Sequence, residues 1–141
     1  MEVIEEKWAV AKGEREGFPI IYRYLSALDS NISQSDYATM VVISWEFNGS
    51  NNNGFPDAAT NEEQQKLEDL LDWLDSSENS FLTQVVTCNG SKEWLWYVKD
   101  CDDWMDKLNQ SLSDCPAFPI GINFFDEPEW QTYNGFINWV K

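Results

Sequence analysis

The sequence predicts an α+β fold with a ferredoxin-like βαββαβ core, because hydrophobic patterns from Thr39 onward follow the order strand, helix, strand, strand, helix, strand. Three observations carry this prediction. In residues 39–47 large apolar side chains occupy every second position, which is the period of a strand. Leucines within 67–74 recur at helical spacing. Asn89-Gly90, the strongest short hairpin signal, separates two further strand-like stretches.

The N-terminal part of the chain predicts a hairpin. Its strands are expected at about Ile4–Ala11 and Phe18–Leu25, with Gly13 and Gly17 marking the turn. A third strand is expected from Thr39 to Phe47, and it alternates so that one face carries Val41, Ile43, Trp45 and Phe47.

The first helix is expected to follow an exposed loop of composition NGSNNNGFPD at residues 48–57. Thr60 and Glu63 have the spacing of a capping box at its start. Residues Ser76–Ser80 should end the helix, and its inner face should carry Leu67, Leu70, Leu71 and Leu74.

Two strands, Phe81–Cys88 and Lys92–Val98, should flank the turn at Asn89-Gly90. Asp100 can then cap a second helix, and Pro116 follows the end of that helix. The inner stripe of this helix is expected to consist of Trp104, Met105, Leu108 and Leu112.

The chain should close with a strand at Phe118–Phe125 and a helix that packs on the rest. Pro128 suits the first turn of that helix, Asp126 its N-cap, and Trp130 and Tyr133 a shared apolar face continuing toward Val140. The two core helices should cover one sheet face, so the other face must be hidden by an addition or used for binding.

These elements predict one domain over residues 1–141. The N-terminal hairpin extension would occupy 1–38, the ferredoxin-like core 39–125, and the added C-terminal helix 126–141.

Charge is strongly unbalanced: 25 acidic residues face nine basic residues, no histidine is present, and the formal charge is −16. Such a charge repels nucleic acids and anionic membranes and attracts basic proteins. The high aromatic content indicates a folded body, and no apolar run approaches the ~20 residues of a membrane span. The N-terminus does not look like a signal peptide, and three cysteines without a C-x-x-C pair indicate free thiols, so we expect a cytoplasmic protein.

Catalytic signatures are weak. Without histidine the Ser-His-Asp and Cys-His arrangements are absent, and no phosphate-binding glycine loop is found, although a Ser-Lys or Thr-based site stays open. Carboxylates are so numerous that some pair would lie close by chance. The stretch Asp100–Asp106 lacks the glycine and the terminal glutamate of a calcium loop. We therefore expect no catalytic residues, no metal site and no cofactor.

The acidic residues concentrate in one part of the chain, since residues 57–80 carry eight acids and one base, Lys66. Trp73 projects away from the leucine stripe, so it is a candidate interface anchor; packing over a sheet edge or against the C-terminal helix is the alternative. The predicted partner-binding residues are Glu68, Asp69, Asp72, Trp73, Asp102, Asp103 and Asp106.

Several motifs together resemble a known family. They are Trp8, the loop Gly54-Phe55-Pro56, LEDLLDWL (67–74), WLWYVKD (94–100) and FFDEPEWQTY (124–133). This combination resembles the bacterial domain-of-unknown-function family 695, which is related to the RraB-type regulators of ribonuclease E. The resemblance implies a ferredoxin-like α+β fold, no established activity for the family, and, by analogy with the RraB-type proteins, binding to a ribonuclease.

We therefore predict a non-enzymatic acidic binding protein that inhibits or masks a basic protein. A nuclease is the expected partner, in the manner of a ribonuclease regulator or a toxin-immunity protein. The alternatives are a carboxylate- or metal-dependent hydrolase, which would need converging acids in a pocket, and a soluble scaffolding domain with no catalytic role.

Overall fold

The computed structural model describes residues 7–28, 31–115 and 117–140. Within them, six strands form one antiparallel sheet in the order β1-β2-β4-β5-β3-β6. The strands are β1 Lys7–Arg15, β2 Phe18–Ala27, β3 Thr39–Glu46, β4 Ser80–Cys88, β5 Ser91–Val98 and β6 Ile120–Asp126. The α-helices of this part of the chain are α1 Ala58–Leu71, α2 Cys101–Leu112 and α3 Gln131–Val140. An α+β fold is thus confirmed.

The sheet separates two hydrophobic layers. The predicted alternation of β3 is confirmed: Val41, Ile43 and Trp45 face α1 and α2, whereas Met40 and Val42 face α3. The layer under α1 and α2 is completed by Leu67, Leu71, Leu74, Val85, Trp94, Trp96, Val98, Trp104 and Leu108. The layer under α3 is completed by Ile20, Leu25, Tyr37, Phe81, Val86, Cys88, Leu95, Tyr97, Trp130 and Tyr133. Helices therefore pack on both faces of the sheet.

The N-terminal hairpin is part of the same sheet, because β2 pairs with β4. Its turn lies at Glu16 and Gly17, both with positive φ. The prediction that Gly13 marks the turn is wrong, since Gly13 pairs with Ile20 inside the hairpin. The first strand continues to Arg15, and residues 4–6 of the predicted strand lie outside the described residues.

The β4–β5 turn confirms the hairpin prediction at Asn89-Gly90. Both residues have positive φ, 46° and 77°, as a two-residue turn of this hand requires. The predicted bounds of the flanking strands differ from the observed ones by one residue each.

The start of α1 corrects the capping-box prediction. Asp57 is the N-cap: its Oδ1 accepts a hydrogen bond from the backbone N–H of Thr60 at 2.7 Å, and this bond lowers the pKa of Asp57. Glu63 instead pairs with Lys66 at 2.9 Å. The prediction that Ser76–Ser80 ends the helix is also wrong, because α1 stops at Leu71 and a 3₁₀ turn follows at Asp72–Leu74.

Helix α2 agrees with the prediction. The Oδ1 atom of Asp100 accepts a hydrogen bond from the backbone N–H of Asp103 at 3.1 Å, and Trp104 and Leu108 are buried. Met105 and Leu112 pack against the same layer. Pro116 lies outside the described residues.

Helix α3 begins later than the sequence predicts. Asp126 ends β6 and does not cap a helix, and Pro128 precedes Gln131, where α3 begins. The buried Glu127 caps the helix instead: its Oε1 accepts a hydrogen bond from the backbone N–H of Thr132 at 3.0 Å.

Burial of Trp130 sets this delayed start. Its ring stacks on Tyr97 with centroids 4.1 Å apart, and its Nε1 donates to the carbonyl of Tyr37 at 2.9 Å. Trp130 consequently adopts φ 51°, a left-handed conformation that a first helical turn cannot accommodate. Tyr133 on α3 is buried beside it, so the predicted packing is confirmed for Tyr133, whereas the predicted shared helical face is wrong because Trp130 precedes the helix.

The loop predicted as exposed, residues 48–57, is anchored by buried glycines. Gly54 donates from its N–H to the carbonyl of Gly49 at 2.9 Å, and its own carbonyl accepts from Gly90 at 2.8 Å. A Cβ on Gly54 would lie 2.7 Å from the backbone of Asn89. Gly49 and Gly54 are buried, so the exposed-loop prediction is wrong for both residues.

No helix in the described part of the chain combines the length and hydropathy needed to cross a bilayer.

Replacing Gly54 by Ala should destabilise the fold by about 2–3 kcal/mol, because φ is 89° and the methyl group would meet the Asn89 backbone. Gly135→Ala is the matched control: nothing lies within 4 Å of a Cβ in the middle of α3, so this change should stabilise by about 0.5–1 kcal/mol. Urea unfolding measures both, and equal effects would contradict the role given to Gly54.

Candidate functional site

The acidic segments of α1 and α2 lie side by side. Both helices contact one another and share the hydrophobic layer on one sheet face. Residues 57–80 and 100–114 together hold 13 of the 25 acids and two of the nine bases. We call the solvent-facing surface of α1, the Asp72–Leu74 turn and α2 the acidic face.

Glu68 does not belong to this face, so its assignment as a partner-binding residue is wrong. Only 13% of its side chain is exposed. Its Oε1 pairs with the guanidinium of Arg23, accepts a hydrogen bond from Trp94 Nε1 at 2.8 Å, and lies 3.7 Å from Lys92 Nζ. Burial lowers the pKa of Lys92 even though the Glu68 carboxylate opposes that shift. Glu68 is therefore a neutralised structural carboxylate.

The outer acids of α1 and α2 are accessible. Asp69 and Asp72 are exposed, and Asp69 accepts a hydrogen bond from Gln65 at 3.0 Å. Asp102 and Asp106 are exposed on α2. Asp103 is partly neutralised, since Lys107 Nζ lies 3.0 Å from its carboxylate. The structure thus brings five of the predicted acids onto one face.

Trp73 connects the two helices. Its Nε1 donates to Ser111 Oγ at 2.7 Å, and Lys107 Nζ lies 6.0 Å from the ring centroid. The indole therefore packs within the protein, as the alternative held, but its contacts are to α2 and not to the C-terminal helix. Half of the side chain, 51%, is still exposed on the acidic face.

A cleft of about 650 Å³ opens beside Asp69. Apolar groups dominate its walls, and the rings of Trp45 and Phe118 lie 5.8 Å apart. We call this space the cleft; its lining residues are Trp45, Glu63, Lys66, Asp69, Leu70, Cys115, Ala117, Phe118 and Pro119. The cleft is an apolar pocket that lies at the edge of the acidic face.

Sequence reasoning missed the cleft because its apolar residues were assigned to the core. Leu70 was placed in the inner stripe of α1, yet it is only half-buried, unlike Leu67 and Leu71. Phe118 was placed in a strand that in fact begins at Ile120. The available signal was the Ala-Phe-Pro segment at 117–119, an apolar stretch with a proline that disfavours a central strand.

Carboxylates and an apolar pocket set the chemical character of this site. Among residues 7–28, 31–115 and 117–140, no three cysteine or carboxylate side chains come together in a geometry that could hold a metal ion. What the site combines is dispersed negative charge at the surface and a recessed apolar pocket next to it.

Comparison with protein families gives one assignment. The model of a family of unknown function, DUF695, matches residues 6–138, and the chain therefore belongs to that family. This confirms the family predicted from the motifs. No curated protein and no solved structure matches the chain.

Glu68→Gln should lower the free energy of unfolding by about 3 kcal/mol, since it leaves Lys92 and Arg23 without their carboxylate. Glu63→Gln removes a carboxylate from the same helix, but that pair with Lys66 is exposed and its loss should leave the stability almost unchanged. Denaturant unfolding of both variants checks this, and a Glu68→Gln protein as stable as the parent would show that Glu68 is dispensable for folding.

Proposed function

We propose that this member of the DUF695 family is a non-enzymatic binding protein that docks a basic protein on the acidic face and cleft. The observation that carries the proposal is the adjacency of the two features: exposed Asp69 belongs to the acidic face and also lines the 650 Å³ cleft. Charge there attracts a cationic surface, and the pocket offers a place to anchor it.

Electrostatics favour this side of the molecule. Residues 57–80 and 100–114, the two segments that build this side, hold 13 of the 25 acids, and the outer members of the acidic face Asp72, Asp102 and Asp106 are exposed. Surface charge of one sign accelerates the encounter with a partner of opposite sign and excludes anionic competitors.

The cleft, and not Trp73, is the proposed anchor point. An arginine of the partner could extend its apolar stem along Trp45 and Phe118 while its guanidinium pairs with Asp69. Trp73 already uses its indole N–H on Ser111, so it contributes apolar area at the other side of the face.

A nuclease is the proposed partner class. Nucleases carry cations that bind phosphates, and an acidic protein that covers those cations would mask the enzyme, as in ribonuclease regulation or toxin immunity. We also infer that this family is related to the RraB-type regulators of ribonuclease E, which supports the same direction. Cys88, Cys101 and Cys115 are free thiols, which is consistent with work in the cytoplasm.

We also infer a ferredoxin-like arrangement for residues 39–125. Its support is the strand order β4-β5-β3-β6, with α1 and α2 packed on one face of these strands. In this arrangement β1 and β2 extend the sheet beyond β4.

Partner capture followed by kinetics tests the function. Proteins retained from lysate at low salt are identified and purified, and their association with the parent and with Asp69→Lys/Asp72→Lys is measured. The variant should associate at least about tenfold more slowly at low salt and depend less on salt, because repulsion replaces attraction. Lysine near the carboxyl end of α1 suits the helix dipole, so folding should be preserved.

The control variant is Asp36→Lys/Glu129→Lys. It changes the net charge equally, but both residues are exposed next to Tyr37 and Trp130, on the other side of the sheet. Its association rate should change far less than that of the acidic-face variant. Equal slowing by both variants, or a retained partner that is itself acidic, would contradict the proposal.

A further inference from the structure

We propose a second binding site, on the opposite face of the sheet, for a small neutral aromatic molecule that carries an N–H donor of the indole type. The site is a groove of about 380 Å³ between α3 and the central strands. The groove is lined by Arg15, Tyr22, Met40, Val42, Gln84, Val86, Glu93, Leu95, Asn123, Phe125, Thr132 and Phe136. It shares no residue with the cleft, and it does not depend on the proposed docking of a basic protein.

The groove exists because α3 covers only part of this face. Tyr133 is buried over the sheet, and Phe136 packs its ring on Tyr22 and Tyr24 with centroids 4.7 and 5.0 Å away. Beside these contacts the apolar side chains of Val42 and Leu95, each 8% exposed, form the floor of the groove. The volume falls in the range of small-molecule sites.

Gln84 is the reason why the ligand must carry a hydrogen-bond donor. It lies in the register between Tyr24 and Leu95, and its side chain is almost completely buried, with 3% exposed. Its Oε1 has no hydrogen-bond partner among the described residues. An acceptor buried in this way is unfavourable until a donor reaches it. Gln84 also lines the groove, so rotation of its side-chain amide would bring Oε1 to an N–H group of a molecule bound there.

The other lining residues indicate the shape and the charge of the ligand. Phe125, 47% exposed, and Phe136 offer ring surfaces on which a planar aromatic group can stack. Arg15 and Glu93 place one positive and one negative side chain on the rim. These two opposite charges favour neither an anionic nor a cationic ligand, in line with the neutral molecule proposed.

Gln64 is a buried, unpaired glutamine that lies away from the groove. It is also fully buried, and both polar atoms of its side chain lack partners among the described residues. However, Gln64 lines neither the groove nor the cleft, so no ligand reaches it through either space. It provides a matched control for Gln84.

The test compares indole with N-methylindole, which has nearly the same ring but no N–H donor. Methyl-labelled protein is titrated with each compound, and the resonances of Val42, Val86 and Leu95 are followed. Indole should shift these resonances saturably and bind about tenfold more tightly than N-methylindole, which corresponds to about 1.4 kcal/mol for the hydrogen bond.

Gln84→Met removes the acceptor with little change in size, and it should abolish the preference for indole while the groove still admits both compounds. Gln64→Met should keep the tenfold preference. Thermal unfolding should show both variants at least as stable as the parent, because each loses an unpaired buried amide.

Three results would overturn the proposal: equal affinities of the two compounds for the parent protein, an unchanged preference in Gln84→Met, or shifts that do not saturate or lie outside the groove. The first comparison needs no variant, so it decides the question even if Gln84→Met folds poorly.

Discussion

The carboxylate of Glu68 meets Arg23 and Lys92 beneath α1, and the position of the acidic face depends on this contact. The three residues come from α1, β2 and β5, so the N-terminal hairpin and the central sheet fix the rotation of the helix together. In this rotation Leu67 and Leu71 enter the hydrophobic layer, whereas Asp69 and Asp72 remain accessible. A buried carboxylate needs cationic partners. Two of the nine bases are therefore used inside the fold and do not neutralise the outer acids.

The sheet divides the molecule into two chemically different sides. On one side α1 and α2 present carboxylates around an apolar cleft; on the other, α3 leaves an aromatic groove whose rim is electrically balanced. Residues of β3 serve both sides, because Trp45 lines the cleft and Val42 forms the floor of the groove. The strict alternation of this strand is what allows one short segment to support two separate surfaces.

Short sequence patterns correctly predicted the elements that depend only on residues nearby in the chain. The alternation of β3, the turn at Asn89-Gly90 and the cap at Asp100 required no distant partner. The start of α1 was ambiguous because Asp57 and Thr60 are both capping residues, three positions apart. Distant partners decided the rest. Glu68 was assigned to the partner-binding surface because its partner Arg23 lies 45 residues away in the sequence, where local spacing does not reveal it. Helix α3 starts late because Trp130 stacks on Tyr97. The cleft likewise forms from segments far apart in the chain, so spacing alone does not reveal it.

Carboxylate footprinting tests the proposed docking most directly. The protein is labelled with a carbodiimide and an amine, free and bound to its purified partner, and modification of each acid is quantified by mass spectrometry. The proposal predicts that Asp69, Asp72, Asp102 and Asp106 react in the free protein and are protected in the complex, whereas Asp36 and Glu129 react equally in both states. Protection of Asp36 and Glu129, with Asp69 and Asp72 still reactive, would contradict it.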